Sequence, residues 1–157
     1  MPCRPRRSGL IVQPVSDESA FRNIVLQQTT EGVARLAPIM RAANFSPATF
    51  EVARGSGGPA VIASWQRADG MTVETHVRGN LGIVRYRWDA AAVTHQQYLR
   101  ARGRHGEYPG YGRNSADAFE HLASDLTGVA ADALTLTRQE FFAVAAAAAA
   151  LPKPGLP

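Results

Sequence analysis

Cysteine, lysine and long apolar runs are scarce in this sequence. Cys3 is the single cysteine, so no disulfide forms within the chain, and the composition is compatible with a reducing cytoplasm. Lys153 is the one lysine among 17 basic residues. No apolar run reaches the ~18 residues that a membrane-spanning helix needs. We therefore expect a cytoplasmic protein that makes no membrane contact.

Motifs of catalysis and cofactor binding are also missing. The sequence has no Gly-x-Ser-x-Gly element, no phosphate loop ending in Gly-Lys-Ser/Thr and no dinucleotide fingerprint in a βαβ unit. Its four histidines lack a ligand spacing such as His-x-x-x-His, and Cys3 is remote from them. We therefore expect no catalytic residue set, no metal and no cofactor.

The net charge is positive, but its distribution does not single out a partner. The formal charge is +4 at pH 7, and the arginines are spread along the chain without interleaved aromatic residues. A nucleic-acid surface concentrates its cations, so we rank nucleic-acid binding last among the functions considered. A composition rich in arginine and alanine can also reflect the base composition of a genome, and we expect a bacterial source.

The stretch from Val61 to Trp88 predicts three β-strands joined by two tight turns. Polar and apolar residues alternate along it. Ala68-Asp69-Gly70 predicts a three-residue hairpin loop that pairs Trp65 with Val73. Gly79-Asn80 predicts a two-residue turn that pairs Val77 with Gly82, Thr75 with Val84 and Val73 with Tyr86. Pairing through these turns collects an apolar face of Val61, Ala63, Trp65, Met71, Val73, Val77, Val84, Tyr86 and Trp88. The opposite, polar face consists of Ser64, Gln66, Thr72, Glu74, His76, Arg78, Arg85 and Arg87. A slip of one residue would destroy this sorting.

A fourth strand is predicted at residues 49–54, with Phe50 and Val52 facing inward. Its register stays open, because a five-residue loop at 55–59 and a bulged four-residue loop place Phe50 on opposite faces. With the three strands above, it completes a four-stranded antiparallel β-meander.

Helical patterns flank the predicted sheet. Residues 17–43 carry an apolar stripe at helical spacing, and Pro38 predicts a kink near residues 34–38. The alternative is that Thr29-Thr30 and Gly32 split this segment into two helices. Capping boxes at Thr94 and Thr137 and a capping serine at Ser115 begin about three C-terminal helices. We expect an α+β fold in which these helices pack on the apolar face of the sheet.

The two ends of the chain differ from its middle in composition and in predicted structure. Residues 1–15 are rich in proline and arginine and predict a disordered basic tail, residues 16–151 a single α+β domain, and residues 152–157 a second tail. The alanine run that leads to Ala150 favours helix. It offers a homo-oligomer contact, because such a helix buries little area on its own domain.

The polar sheet face is the first candidate site. Glu74 is predicted opposite Arg85, Thr72 opposite Arg87, and His76 and Arg78 continue the row. Cross-strand pairs of about 0.2–1 kcal/mol each are a sufficient structural reason for these charges. The functional interpretation is a pocket for a small anionic ligand, with Glu74 and His76 as an acid–base pair. Since residues two apart on one strand are about 7 Å apart, we expect no direct bond between them and favour a solvated ladder.

The second candidate site is the glycine-rich loop at 103–114. His105, Tyr108, Tyr111 and Arg113 lie on it. Loops carry binding residues more often than regular elements do, and tyrosine and arginine are favoured anchors of protein interfaces. The alternative is that the two tyrosines only cover the edge of the core.

Together these patterns favour a small, non-enzymatic binding module that acts on another protein, in the manner of a regulator, a chaperone or an immunity protein. The alternative is a ligand-binding protein or enzyme that uses Glu74, His76 and Arg85. A weak nucleic-acid binder is the third hypothesis.

Overall fold

The computed structural model describes residues 17–55, 58–108 and 115–153. The chain has an α+β fold with an N-terminal helix, an antiparallel sheet and C-terminal helices, as predicted, but the sheet has five strands rather than four. The elements are α1 (Asp17–Ala42), β1 (Thr49–Gly55), β2 (Gly58–Gln66), β3 (Thr72–Val77), β4 (Leu81–Trp88), β5 (Ala91–Thr94), α2 (His95–Ala101), α3 (Ser115–Thr127), a 3₁₀ helix (Ala131–Thr135) and α4 (Arg138–Ala150). The predicted tails at 1–15 and from residue 154 onward lie outside the described residues.

The register of the central strands is set by their turns. Gly70 adopts a φ of 106°, and the N–H of Arg67 donates to the carbonyl of Met71 at 2.8 Å, which closes the predicted three-residue loop. The predicted pairs that the structure confirms are Trp65 with Val73, Val73 with Tyr86, Glu74 with Arg85, and Thr75 with Val84. The predicted apolar face is buried throughout.

The second turn differs from the prediction by one residue. Val77 pairs with Leu81, and the register shifts next to it, so that Gly82 is an extra residue on β4. A bulge of this kind lets one strand carry two residues opposite one on its partner. Leu81, rather than Gly82, therefore faces the core and is fully buried.

The first helix is continuous despite Pro38. It covers the core face of the sheet and packs on α3. Because one helix spans Asp17–Ala42, the alternative of two separate helices is wrong. Gly32 is buried at the crossing with α3, where an added Cβ would lie 2.3 Å from the Phe119 ring. A glycine is required here because the ring occupies the place of a side chain.

The outermost strand, β1, is less well covered than expected. Phe50 pairs with Ala63, and Val52 pairs with Val61, so both lie on the core side of the sheet as predicted. Both are nevertheless about half exposed, because α1 lies over β2 instead. The two-residue connection to β2, residues 56 and 57, lies outside the described part of the chain.

The last helix begins at its predicted cap. Thr137 and Glu140 form the reciprocal capping box, and Phe141 and Val144 are the buried residues of α4. Its alanines at 143, 146 and 147 are exposed, and self-association through this helix stays a prediction. Within residues 17–55, 58–108 and 115–153, no helix has the length and hydropathy needed to cross a bilayer.

Candidate functional site

One face of the sheet carries the predicted polar residues and is not covered by any helix that the structure describes. We call it the open face. Its members are only partly buried, in contrast to the core residues that alternate with them along β2, β3 and β4. The alternation of strand side chains produces this contrast directly.

Glu74 is the centre of a charged cluster on the open face. Its carboxylate accepts a hydrogen bond from Arg87 at 3.2 Å, lies 3.2 Å from His76 Nε2 and lies 3.9 Å from Arg85 Nη1. Arg85 stands directly opposite on β4, and Arg87 reaches across diagonally from its own position opposite Thr72. The Glu74 side chain is only 13% exposed, so the surrounding cations cover it. We call Glu74, His76, Arg85 and Arg87 the Glu74 cluster.

The expectation that Glu74 and His76 are too far apart to bond is wrong. Alternate residues of a strand are about 7 Å apart when the distance is measured along the backbone. Both side chains extend several bonds from that backbone and lean toward each other, which closes the gap to 3.2 Å. The ladder is therefore a connected cluster rather than a row of separate solvated groups.

A hollow of about 290 Å³ adjoins the cluster at the end of β3. Its lining residues are Ala60, His76, Arg78, Asn80, Gly82 and Ile83. The bulge at Gly82 contributes a residue without a side chain, and Ala60 contributes a small one. Gly82 and Ala60 therefore leave the space between the longer side chains of the lining unfilled.

The loop candidates are placed differently from one another. Tyr108 is buried, and its hydroxyl donates to the carbonyls of Leu81 and Gly82 at 3.1 Å each. This burial favours the alternative that it covers the core edge. His105 is exposed, whereas Tyr111 and Arg113 lie outside the described residues.

A buried polar network lies beneath this loop, and no local sequence pattern predicts it. The Tyr86 hydroxyl lies 2.6 Å from His95 Nδ1, and His95 Nε2 lies 2.8 Å from Asp125 Oδ2. The Asp125 carboxylate also accepts the backbone N–H groups of Glu107 and Tyr108. Tyr86, His95 and Asp125 are 0–2% exposed.

Burial shifts the pKa of two members of this network, His95 and Tyr86. It lowers the pKa of the His95 imidazole, although the Asp125 carboxylate beside it opposes the shift. Burial also raises the pKa of the Tyr86 hydroxyl well above its ordinary value. The neutral tautomer with its proton on Nε2 fits both contacts, since Nδ1 can then accept from the hydroxyl.

The order hydroxyl, imidazole, carboxylate resembles that of a catalytic triad, but a substrate cannot reach groups that are this deeply buried. The network instead connects α2 and α3 to the loop that carries Tyr108. Because Tyr108 in turn binds the carbonyls of the bulge, the network supports the strand geometry that forms the hollow.

The part of the chain that the structure describes has no group of three or more histidine, cysteine, aspartate or glutamate side chains able to hold a metal ion.

Comparison with protein-family models, with curated proteins and with solved structures finds no match for this chain.

Proposed function

We propose that this protein is a non-enzymatic binding module that engages an acidic segment of a partner protein through its open face. The observation that carries the proposal is the Glu74 cluster, in which a nearly buried carboxylate holds cationic side chains on a sheet face that no described helix covers.

The charges of the cluster favour an acidic partner. Two guanidinium groups, those of Arg85 and Arg87, surround the single carboxylate of Glu74. Their side chains remain 30% and 40% exposed, so each can still reach a carboxylate of a partner. Arginine binds carboxylates through two parallel hydrogen bonds.

The position of Glu74 also lowers the cost of binding. A free arginine side chain loses rotamer freedom when a partner immobilises it, at a cost of about 0.5–1.5 kcal/mol. Contact with Glu74 restrains Arg85 and Arg87 before a partner arrives. Folding of the domain has then already removed part of the rotamer freedom that binding would otherwise remove.

Affinity capture from lysate of the source cells tests this proposal, when it compares variants by quantitative mass spectrometry. The test variant is Arg85→Gln/Arg87→Gln, which removes both cations and keeps similar side-chain length. The matched control is Arg22→Gln/Arg41→Gln, which removes two exposed arginines from α1. We expect proteins that the wild type and the control retain and the test variant loses.

The captured proteins should also dissociate as salt is raised, because contacts between exposed charges are screened. If the same proteins remain bound to the Arg85→Gln/Arg87→Gln variant, the open face is not the binding surface.

The contact between Glu74 and His76 favours a second candidate, an enzyme that uses His76 as a general base. A carboxylate that holds one ring nitrogen orients the imidazole and leaves the other nitrogen for proton transfer. Hydrolysis of p-nitrophenyl acetate tests it with His76→Gln and, as the control, His105→Gln at an exposed histidine. Loss of activity in the first variant alone supports this candidate, and equal activity in both excludes an activated His76.

A further inference from the structure

We infer that the hollow beside the turn of β3 and β4 is a binding site for a small aliphatic monocarboxylate. In this site Arg78 binds the carboxylate group, and Ile83 and Ala60 contact the aliphatic chain. This ligand is a small molecule rather than a protein, and its site does not include Arg85 and Arg87 of the proposed protein-binding face.

The cation of this site, the Arg78 guanidinium group, is not engaged by any carboxylate of the described residues. Arg78 is exposed and makes no ion pair with any residue that the structure describes, whereas Arg85 and Arg87 both face Glu74. His76 contributes the second polar wall, and Glu74 holds its Nε2. A guanidinium group with both edges available is the preferred partner of a carboxylate.

Apart from Asn80, the remaining lining residues are apolar or lack a side chain, and they favour an apolar chain. Ile83, which lines the hollow, stands opposite His76 on β4, and Ile62, outside the lining, stands opposite His76 on β2. The histidine is thus flanked by two isoleucines on a face that is otherwise polar. Ala60 and Gly82 leave room between them. One cationic end and one apolar end match a ligand with a single carboxylate and a short hydrocarbon chain.

The size of the hollow limits the ligand. Its volume of about 290 Å³ lies at the lower limit of about 300–1,000 Å³ that is usual for small-molecule sites. A ligand of nucleotide size would extend beyond the hollow, but a chain of a few carbons fits inside it. The single cation likewise favours a monocarboxylate over a polyanion.

The fold supports this site from below. The hollow depends on the bulge at Gly82, and the Tyr108 hydroxyl donates to both carbonyls of that bulge. The backbone of Tyr108 is in turn bound by the buried carboxylate of Asp125. Bulges often lie beside binding sites because they redirect side chains out of the regular ladder.

Titration with defined carboxylates, followed through the backbone amide signals in two-dimensional NMR, tests the inference. The probes are sodium acetate, sodium butanoate and the uncharged isostere butanamide. We expect butanoate to shift the signals of residues 76–83 and butanamide to shift them far less. Butanoate should bind roughly fifteenfold more tightly than acetate, since each buried methylene contributes about fourfold.

Two variants assign the ends of the ligand. Arg78→Gln should reduce butanoate binding to the level of butanamide, and Ile83→Ala should reduce the advantage of butanoate over acetate. Arg85→Gln/Arg87→Gln should bind butanoate like the wild type, which separates this site from the proposed protein-binding face. Equal binding of butanoate and butanamide, or full butanoate affinity in Arg78→Gln, would overturn the inference.

Discussion

Replacing His95 by phenylalanine is the sharpest test of the buried network. The substitution removes both ring nitrogens and leaves the Tyr86 hydroxyl and the Asp125 carboxylate each without one partner. Tyr86 and Asp125 are almost completely buried, so water does not replace the lost partner. Asp125 retains the two backbone N–H groups of Glu107 and Tyr108.

The magnitude follows from these two orphaned groups. A buried neutral group left without its partner costs about 1–3 kcal/mol, and a charged group costs more. The free energy of unfolding of His95→Phe should therefore fall by about 3–5 kcal/mol. Tyr86→Phe leaves only the Nδ1 acceptor of His95 unpaired, and should cost about 1–2 kcal/mol.

Urea unfolding followed by tryptophan fluorescence measures these changes, since Trp65 and Trp88 are both buried in the core. The double variant Tyr86→Phe/His95→Phe completes a thermodynamic cycle. Its cost should be smaller than the sum of the single costs by about 1 kcal/mol or more, because no hydroxyl is then left unpaired.

Two results would refute the reasoning. One is a His95→Phe protein within about 0.5 kcal/mol of the wild type, the usual range of a surface substitution. The other is strict additivity in the cycle, which would mean that Tyr86 and His95 do not interact. Tyr86→Phe alone still measures the shorter contact if His95→Phe does not fold.

Three further predictions concern pH, packing and local opening. The folded-state pKa of His95 lies below that of the unfolded chain, about 6.5, so the unfolded chain takes up the proton first as the pH falls. At pH values below 6.5, the free energy of unfolding should therefore decrease by up to about 1.4 kcal/mol per pH unit until the folded-state pKa is reached. His95→Gln should remove this pH dependence from urea midpoints measured between pH 7.5 and 5. Gly32→Ala places a methyl group 2.3 Å from the Phe119 ring, so its overpacking cost should lie in the upper part of the usual range of about 1–3 kcal/mol. This cost outweighs the helix-propensity gain of about 1 kcal/mol, and the thermal midpoint should fall; a midpoint above the wild-type value would contradict the close crossing of α1 and α3. Tyr108→Phe removes the donor to the bulge carbonyls, so amide hydrogen exchange at Gly82 and Ile83 should accelerate while exchange in α1 does not. If exchange at Gly82 and Ile83 is unchanged, the Tyr108 hydroxyl does not stabilise the bulge.

The central sheet and the helix caps could be predicted from the sequence because they depend on residues close together in the chain. Strand alternation and two glycine turns sort Val73 from Glu74 and Tyr86 from Arg85, and a register error would expose the whole apolar set. The capping boxes at Thr94 and Thr137 each involve residues three positions apart, so they too were predicted at the correct positions.

The open face was predicted only in part. Its residues and cross-strand pairs followed from the turns, but the contact between Glu74 and His76 did not, because a regular strand model specifies backbone spacing and not the direction of long side chains. Phe50 was assigned to the correct side of the sheet. Its exposure, however, depends on where α1 crosses the sheet, and the sequence of β1 does not determine that position.

The buried network was decided by the tertiary structure alone. Tyr86 and His95 are nine residues apart in the chain, and His95 and Asp125 are thirty apart, so no local period relates them. The sequence around each of the three residues predicts only a strand or a helix and no special role for its side chain. Only the packing of α2 and α3 against the sheet removes all three from water, and that shared loss of solvent makes their hydrogen bonds to one another necessary.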